Sequence, residues 1–135
     1  MTSSTSPVAS VILAVYNAQD SIVACIKSLM RQSLPIELIV VDDGSSDNTI
    51  QLLHSDLSID RNVQIFFQNH SGPAMARNLG ASHAHTNILL FVDSDMIFDK
   101  DYVKDLIAPI QKREVIGTYT VEERVANWDN VWARC

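Results

Sequence analysis

Short apolar runs separated by amphipathic stretches leave this chain few folds to choose from. SVILAV at 10–15, IELIVV at 36–41, VQIFF at 63–67 and ILLFV at 88–92 read as strands, and 115–119 as a fifth. The fourth run is continuous in apolar residues, as expected of a strand buried on both faces. Between the strands lie helical patterns. Asp20 or Ser21 can cap a helix whose inner face is Ile22, Cys25, Ile26, Leu29 and Met30. A turn at 42–47, with Ser46 or Asp47 as cap, precedes a short helix through Ile50, Leu52 and Leu53. Gly72-Pro73 opens a helix over 74–84, and a helix from 101 carries Val103, Leu106 and Ile107 inward until Pro109 ends or kinks it. Alternating strands and helices with apolar strands imply a mostly parallel sheet with helices on both faces.

The length of 135 residues allows one domain, and 47% hydrophobic with 19% charged residues excludes a disordered chain. A net charge of −6 without any Lys/Arg cluster argues against a nucleic-acid partner. Cys25 falls on the inner face of a helix and Cys135 is terminal, so neither metal spacing nor a disulfide framework is present and a cytoplasmic setting is expected. No apolar run is long enough to span a bilayer, which leaves attachment to the inner face of a membrane open. The expected organisation is a Ser/Thr-rich tail at 1–8, an α/β domain at 9–120, and at 121–135 the start of a further region cut short. Val121, Val125, Trp128 and Trp132 there recur at helical spacing.

Polar clusters close three of the strands: Ala14-Val15-Tyr16-Asn17, Asp42-Asp43-Gly44-Ser45-Ser46 and Asp93-Ser94-Asp95. In a parallel sheet all three share the rim where open α/β sheets bind ligands. Carboxylates gathered on one rim repel one another unless a cation or hydrogen-bond donors compensate them. Each cluster alone is ordinary turn and cap chemistry; their coincidence at strand ends is what points to a site. No G-x-G-x-x-G follows the first strand and no P-loop occurs, so nicotinamide binding and P-loop phosphoryl transfer are disfavoured.

The run SVILAVYNAQDSIVACIKSLMRQSLPIELIVVDDGSSDNT resembles the opening of the family 2 glycosyltransferases, and HSGPAMARNLGASHAHTNILLFVDSD resembles their continuation to an Asp-x-Asp motif. The likeness runs from about 10 to 101, with the order and spacing of the motifs kept. It implies the GT-A fold, a Rossmann-like sheet, here truncated before the acceptor-binding half. It also implies transfer of a sugar, with inversion, from a nucleotide diphosphate donor, most often a UDP-sugar, to a hydroxyl of a glycan, lipid-linked or protein acceptor. In similar enzymes Ala14, Val15 and Tyr16 lie beside the base and Asp43 bonds it. Arg77 approaches the diphosphate, Asp93 with Ser94 faces the ribose or sugar, and Asp95 binds Mg²⁺ or Mn²⁺. The catalytic base of the family lies later than the matched segment, beyond Cys135. The alternative is a non-catalytic nucleotide-diphosphate-binding fragment or degenerate relative. His70 reads as a solvent-facing loop residue, with nucleotide contact as the alternative. His54, His83 and His85 read as helix surface or end residues. Ala74, Ala76, Gly80 and Ala81 read as small residues that let a helix approach the sheet.

Overall fold

The computed structural model describes residues 5–55 and 62–118. Four strands, β1 (Ala9–Val15), β2 (Ile36–Asp42), β3 (Val63–Phe67) and β4 (Leu89–Asp93), alternate with helices α1 (Ile22–Met30), α2 (Thr49–His54), α3 (Pro73–Ser82) and α4 (Tyr102–Gln111). All pairings are parallel, and the sheet order is β3-β2-β1-β4. Because β1, β2 and β3 step one way across the sheet and β4 returns to the far side of β1, the crossover direction reverses between β1 and β4. Such a reversal is where open α/β sheets place their ligand-binding crevice, at the strands' carboxyl ends.

The pleat of β1 divides the core. Val11, Leu13 and Val15 point to a large apolar cluster with Ile22, Cys25, Ile26 and Leu29 of α1, Leu53 of α2, and Val103 and Ile107 of α4. Ile12 joins Ile39, Val41 and Ala76 on the opposite face, under α3. The small residues of α3 act as expected there: a Cβ on Gly80 would lie 2.6 Å from Ile12 Cγ2, so only glycine lets the helix sit this close. Ala74, by contrast, is exposed.

Several sequence expectations are corrected. Among the described residues β4 is an edge strand and is buried on one face alone. α3 lies mainly over β1 and β2 and meets β4 through Arg77 at its end, while Leu89 and Phe91 are exposed, Phe91 at 51%. Continuous apolarity in 88–92 therefore does not correspond to burial on both faces among the described residues. Residues 115–118 form no strand; Tyr119 and the 121–135 region with its tryptophans lie outside the described residues. Pro109 sits within α4, which ends two residues later at Gln111, because a last-turn proline removes only one helical hydrogen bond. Met30 is partly exposed at the end of α1. Ser21 stands at the N-cap of α1 without a side-chain cap bond, and Asn48 occupies that position for α2 while Asp47 Oδ1 accepts from the Thr49 N–H at 2.9 Å. Among the described residues no helix is long and apolar enough to cross a membrane.

At the opposite rim a buried carboxylate ties the sheet to the α3–β4 connection. Glu37 accepts from Ser10 Oγ (2.6 Å), Gln64 Nε2 (2.8 Å), the His85 N–H (3.0 Å) and His85 Nδ1 (2.5 Å). Burial opposes its ionisation, but the bonds from Ser10 and His85 outweigh that and hold its carboxyl below the ordinary value. His85 lies on the surface, as expected, with its side chain 73% exposed, and also anchors this connection to Glu37. His83 caps the end of α3 and stacks on Phe66, and His54 ends α2 and stacks on Phe67.

Candidate functional site

The three polar clusters that close β1, β2 and β4 lie on one rim, with Arg77 of α3 beside Asp93. Register pairs Val15 with Asp42, Ala14 with Asp93, and Asp42 with Phe67, so four strand ends stop nearly level. Val15 itself is core; it serves the rim through its carbonyl, which accepts the Asp43 N–H at 2.8 Å. Tyr16, next along, is 48% exposed over the site. Asn17 has φ +49, and its side-chain oxygen accepts the Ser46 N–H at 2.8 Å, clasping the β1 and β2 turns together. It shapes the rim.

The aspartates of the β2 turn are both buried and do different things. Asp42 Oδ2 accepts the Gly44 and Ser45 N–H groups at 3.1 and 3.0 Å, while Oδ1 has no partner among the described residues. Asp43, 2% exposed, spends both oxygens on the loop after β3. Oδ1 accepts from Gln68 Nε2 (2.6 Å) and the Ser71 N–H (2.8 Å); Oδ2 accepts from the Gly72 N–H (2.9 Å) and His70 Nδ1 (2.9 Å). His70 Nδ1 also lies 3.1 Å from the Asp43 carbonyl oxygen, and since both neighbours are acceptors this nitrogen carries the proton. Burial works against the charge on Asp43, but these bonds and the nearby His70 outweigh it, and the carboxyl is held below its ordinary value. Gly44, at φ +74, makes the close fit possible: a Cβ there would stand 2.7 Å from the His70 backbone nitrogen.

Across the crevice, Arg77 on α3 reaches the end of β4, where Nη2 donates to Asp93 Oδ1 at 2.9 Å; its Nε is buried without a partner among the described residues. Ser94 is half-buried and Asp95 is exposed. Of Asp42, Asp43, Asp93 and Asp95, only Asp95 has no hydrogen-bond or ion-pair partner among the described residues. Beneath it, Cys25 Sγ–H donates to the Asp93 carbonyl at 3.7 Å, and burial pushes this thiol up to about 12, so it is a neutral packing residue.

Sequence reasoning missed Gln68, His70 and the Ser71 and Gly72 amides as partners of Asp43. The signal was available: they follow the third strand, whose end must lie on the same rim as the other three. His70 in particular is no free loop residue. Its ring stacks on Tyr16 with centroids 4.2 Å apart and planes 25° from parallel.

The order and spacing of these rim residues match a known pattern: the profile described as Glycosyl transferase family 2 covers residues 10–133. The chain belongs to this family. It is 34% identical over 115 residues to the glycosyltransferase GlyG of Streptococcus pneumoniae, covering 82% of this chain and 38% of GlyG. The crystal structure of S. aureus TarS 1–349 in complex with UDP-GlcNAc is similar at 30% identity with a TM-score of 0.71, over 85% of this chain and 37% of that one. The fold is also shared with the mannosyltransferase PcManGT from Pyrobaculum calidifontis, solved with GDP-Man and Mn²⁺, at 23% identity and a TM-score of 0.68, over 78% of this chain and 33% of that one. This family 2 chain therefore spans less than half the length of these relatives, with the four-stranded Rossmann-like part of the GT-A fold in common.

Among the described residues no group of three or more His, Cys, Asp or Glu forms a cage for a metal ion. The free carboxylate of Asp95 fits a hard divalent ion of the kind that keeps few protein ligands and takes the rest from phosphate and water.

Proposed function

We propose that this chain forms the donor-binding half of an enzyme that moves a sugar, with inversion, from a UDP-sugar to an acceptor hydroxyl, assisted by a divalent cation. The observation that carries the reading is the unequal treatment of the rim carboxylates. Asp43 and Asp93 are paired within the protein, whereas Asp95, on the same rim, is exposed and has no partner among the described residues. The base lies against Tyr16 near Asp43, with Ala14 and the Val15 backbone as its floor. Arg77 offers its unpartnered Nε to the diphosphate, a guanidinium fork being well suited to phosphate oxygens. Asp93 and Ser94 face the ribose or sugar, and Asp95 holds Mg²⁺ or Mn²⁺. Bound there, the cation supplies Lewis-acid stabilisation of the charge that develops on the leaving diphosphate. Similarity to TarS, whose structure holds UDP-GlcNAc, supports uracil as the base.

Inverting transfer also needs a carboxylate or other base to take the acceptor proton. With Asp95 given to the cation, none of the four rim aspartates is left for that task. The base is therefore assigned to residues outside the described ones, and donor binding is what this chain is expected to do by itself. Calorimetric titration of UDP, with Mn²⁺ and with EDTA, into the wild type and Asp95→Ala is the test. Binding that needs the metal and is lost in the variant is the expected result. A folded wild type that ignores UDP under both conditions removes the reading; metal-independent binding unaffected by the variant removes Asp95 as the ligand.

A further inference from the structure

Of the four donors gathered by Asp43, one is unlike the rest. The Ser71 and Gly72 amides belong to the backbone, and Gln68 continues from β3 with its own N–H held by the Asp42 carbonyl at 3.0 Å. His70 alone is a side chain whose ring lies largely in solvent, 58% exposed, and that can rotate away while the loop beneath it stays anchored. What that ring does is specific. It is a flat aromatic heterocycle, it lies on the face of Tyr16 at 4.2 Å, and it donates a ring N–H to Asp43 Oδ2 at 2.9 Å. A uracil bound at this rim would use the same two contacts, its face on Tyr16 and its N3–H on Asp43. Asp43 cannot serve both, because its oxygens already accept four hydrogen bonds and a carboxylate offers about four lone-pair sites.

We infer that His70 is a stand-in for the donor's base: it fills the base slot in the free protein, keeps the buried Asp43 carboxylate satisfied, and is displaced when uracil enters. This rests on the base lying at Tyr16 and Asp43, as proposed above. His70 then sets donor affinity by competition, and the slot it leaves, one imidazole wide between a tyrosine face and an acceptor, favours a single-ring base with a ring N–H. The backbone positions do not change on exchange, because Gly44 packs against the His70 backbone nitrogen and the Ser71 and Gly72 bonds to Asp43 remain.

Two measurements on the full chain decide this. In calorimetric titration with UDP and Mn²⁺, His70→Ala is expected to bind about tenfold more tightly than the wild type. That factor corresponds to relief from competing against one hydrogen bond and one ring stack. In NMR spectra of the wild type, UDP is expected to move the His70 ring proton signals out of the Tyr16 ring-current position to those of a free imidazole. The second measurement needs no variant and so does not depend on how His70→Ala folds. Equal or weaker UDP binding by His70→Ala, or His70 ring signals that stay at the stacked position in the UDP complex, overturns the inference while leaving the donor-site reading intact. Absence of UDP binding by both proteins overturns both.

Discussion

Asp43 and Asp42 are neighbours, chemically identical and both buried, yet the structure assigns them opposite sensitivities to loss of charge. Consider Asp43→Asn. Asparagine keeps one oxygen and replaces the other with an NH₂ donor. The backbone amide of Ser71 points at one oxygen of Asp43 and that of Gly72 at the other, so whichever way the new side chain turns, one backbone N–H meets a donor. Leaving a donor stranded costs about 1–3 kcal/mol, and a second bond, from Gln68 or His70, is lost on the same side. The remaining two bonds lose their charge assistance. Part of this is recovered because Gln68 and His70 can turn to water, and the net expectation is about 3 kcal/mol of lost stability.

In Asp42→Asn the geometry is kinder. Both turn amides bond the same oxygen, Oδ2, while Oδ1 has no partner among the described residues. The asparagine oxygen takes the first position and its NH₂ the second, both bonds survive, and a buried charge disappears. The expected cost is about 1 kcal/mol or less. Urea denaturation followed by circular dichroism reads the difference. For a chain of this size a gap of about 2 kcal/mol separates the two midpoints by about 1 M or more. Equal midpoints, or a lower midpoint for Asp42→Asn, would refute the hydrogen-bond accounting on which the description of this rim rests.

Two further predictions concern the scaffold. Gly80→Ala gains about 1 kcal/mol of helix propensity but drives a methyl to 2.6 Å from the stiff, fully buried Ile12, an overpacking that costs about 1–3 kcal/mol. A net loss of about 1 kcal/mol in urea unfolding is expected, and stabilisation would show that α3 is free to move off the sheet. Glu37 has a folded-state carboxyl held below its unfolded value, so its contribution is present above the unfolded value near pH 4.3 and is lost as pH falls through the lower, folded one. The stability gap between the wild type and Glu37→Gln should therefore narrow between pH 5 and pH 3, whereas a gap that stays constant would mean that the carboxylate's charge is not what His85 and Ser10 hold.

How far the sequence could be read depended on which residues see only local forces. The four parallel strands and four helices were legible because apolar periodicity reports directly on what each element buries, and the glycine and alanines of α3 because a close helix approach leaves a compositional trace. β4 was misjudged for a related reason. Periodicity says which residues are apolar and not which face a neighbour covers, and α3 packs mainly over β1 and β2. The rim residues were legible through strand ends and through resemblance to the family. The partners of Asp43 were not, since Gln68 and His70 lie 25 and 27 residues away in the chain and carry no local pattern that announces a carboxylate. Their position after β3 was the one usable clue.

The opposite ends of the sheet show why the reading of function falls on one rim and not on the other. Glu37 and Asp43 are both nearly inaccessible carboxylates with several donors each, and by burial or by the direction of their ionisation alone they are indistinguishable. What separates them is the neighbourhood. Around Glu37 the donors come from β1, β3 and the α3–β4 connection, and although the His85 ring is itself 73% exposed, these bonds tie the sheet to that connection; that arrangement secures a fold. Around Asp43 the exposed donor ring is itself stacked on an exposed tyrosine face, and on the same rim stand a guanidinium with a nitrogen and a carboxylate that both lack a partner among the described residues. A fold has no use for that unspent capacity, and leaving Arg77 Nε buried and unpaired costs stability. A ligand that brings a flat base with an N–H, two phosphates and a cation would satisfy each of these groups in turn, which is the physical ground for expecting a nucleotide diphosphate at this rim.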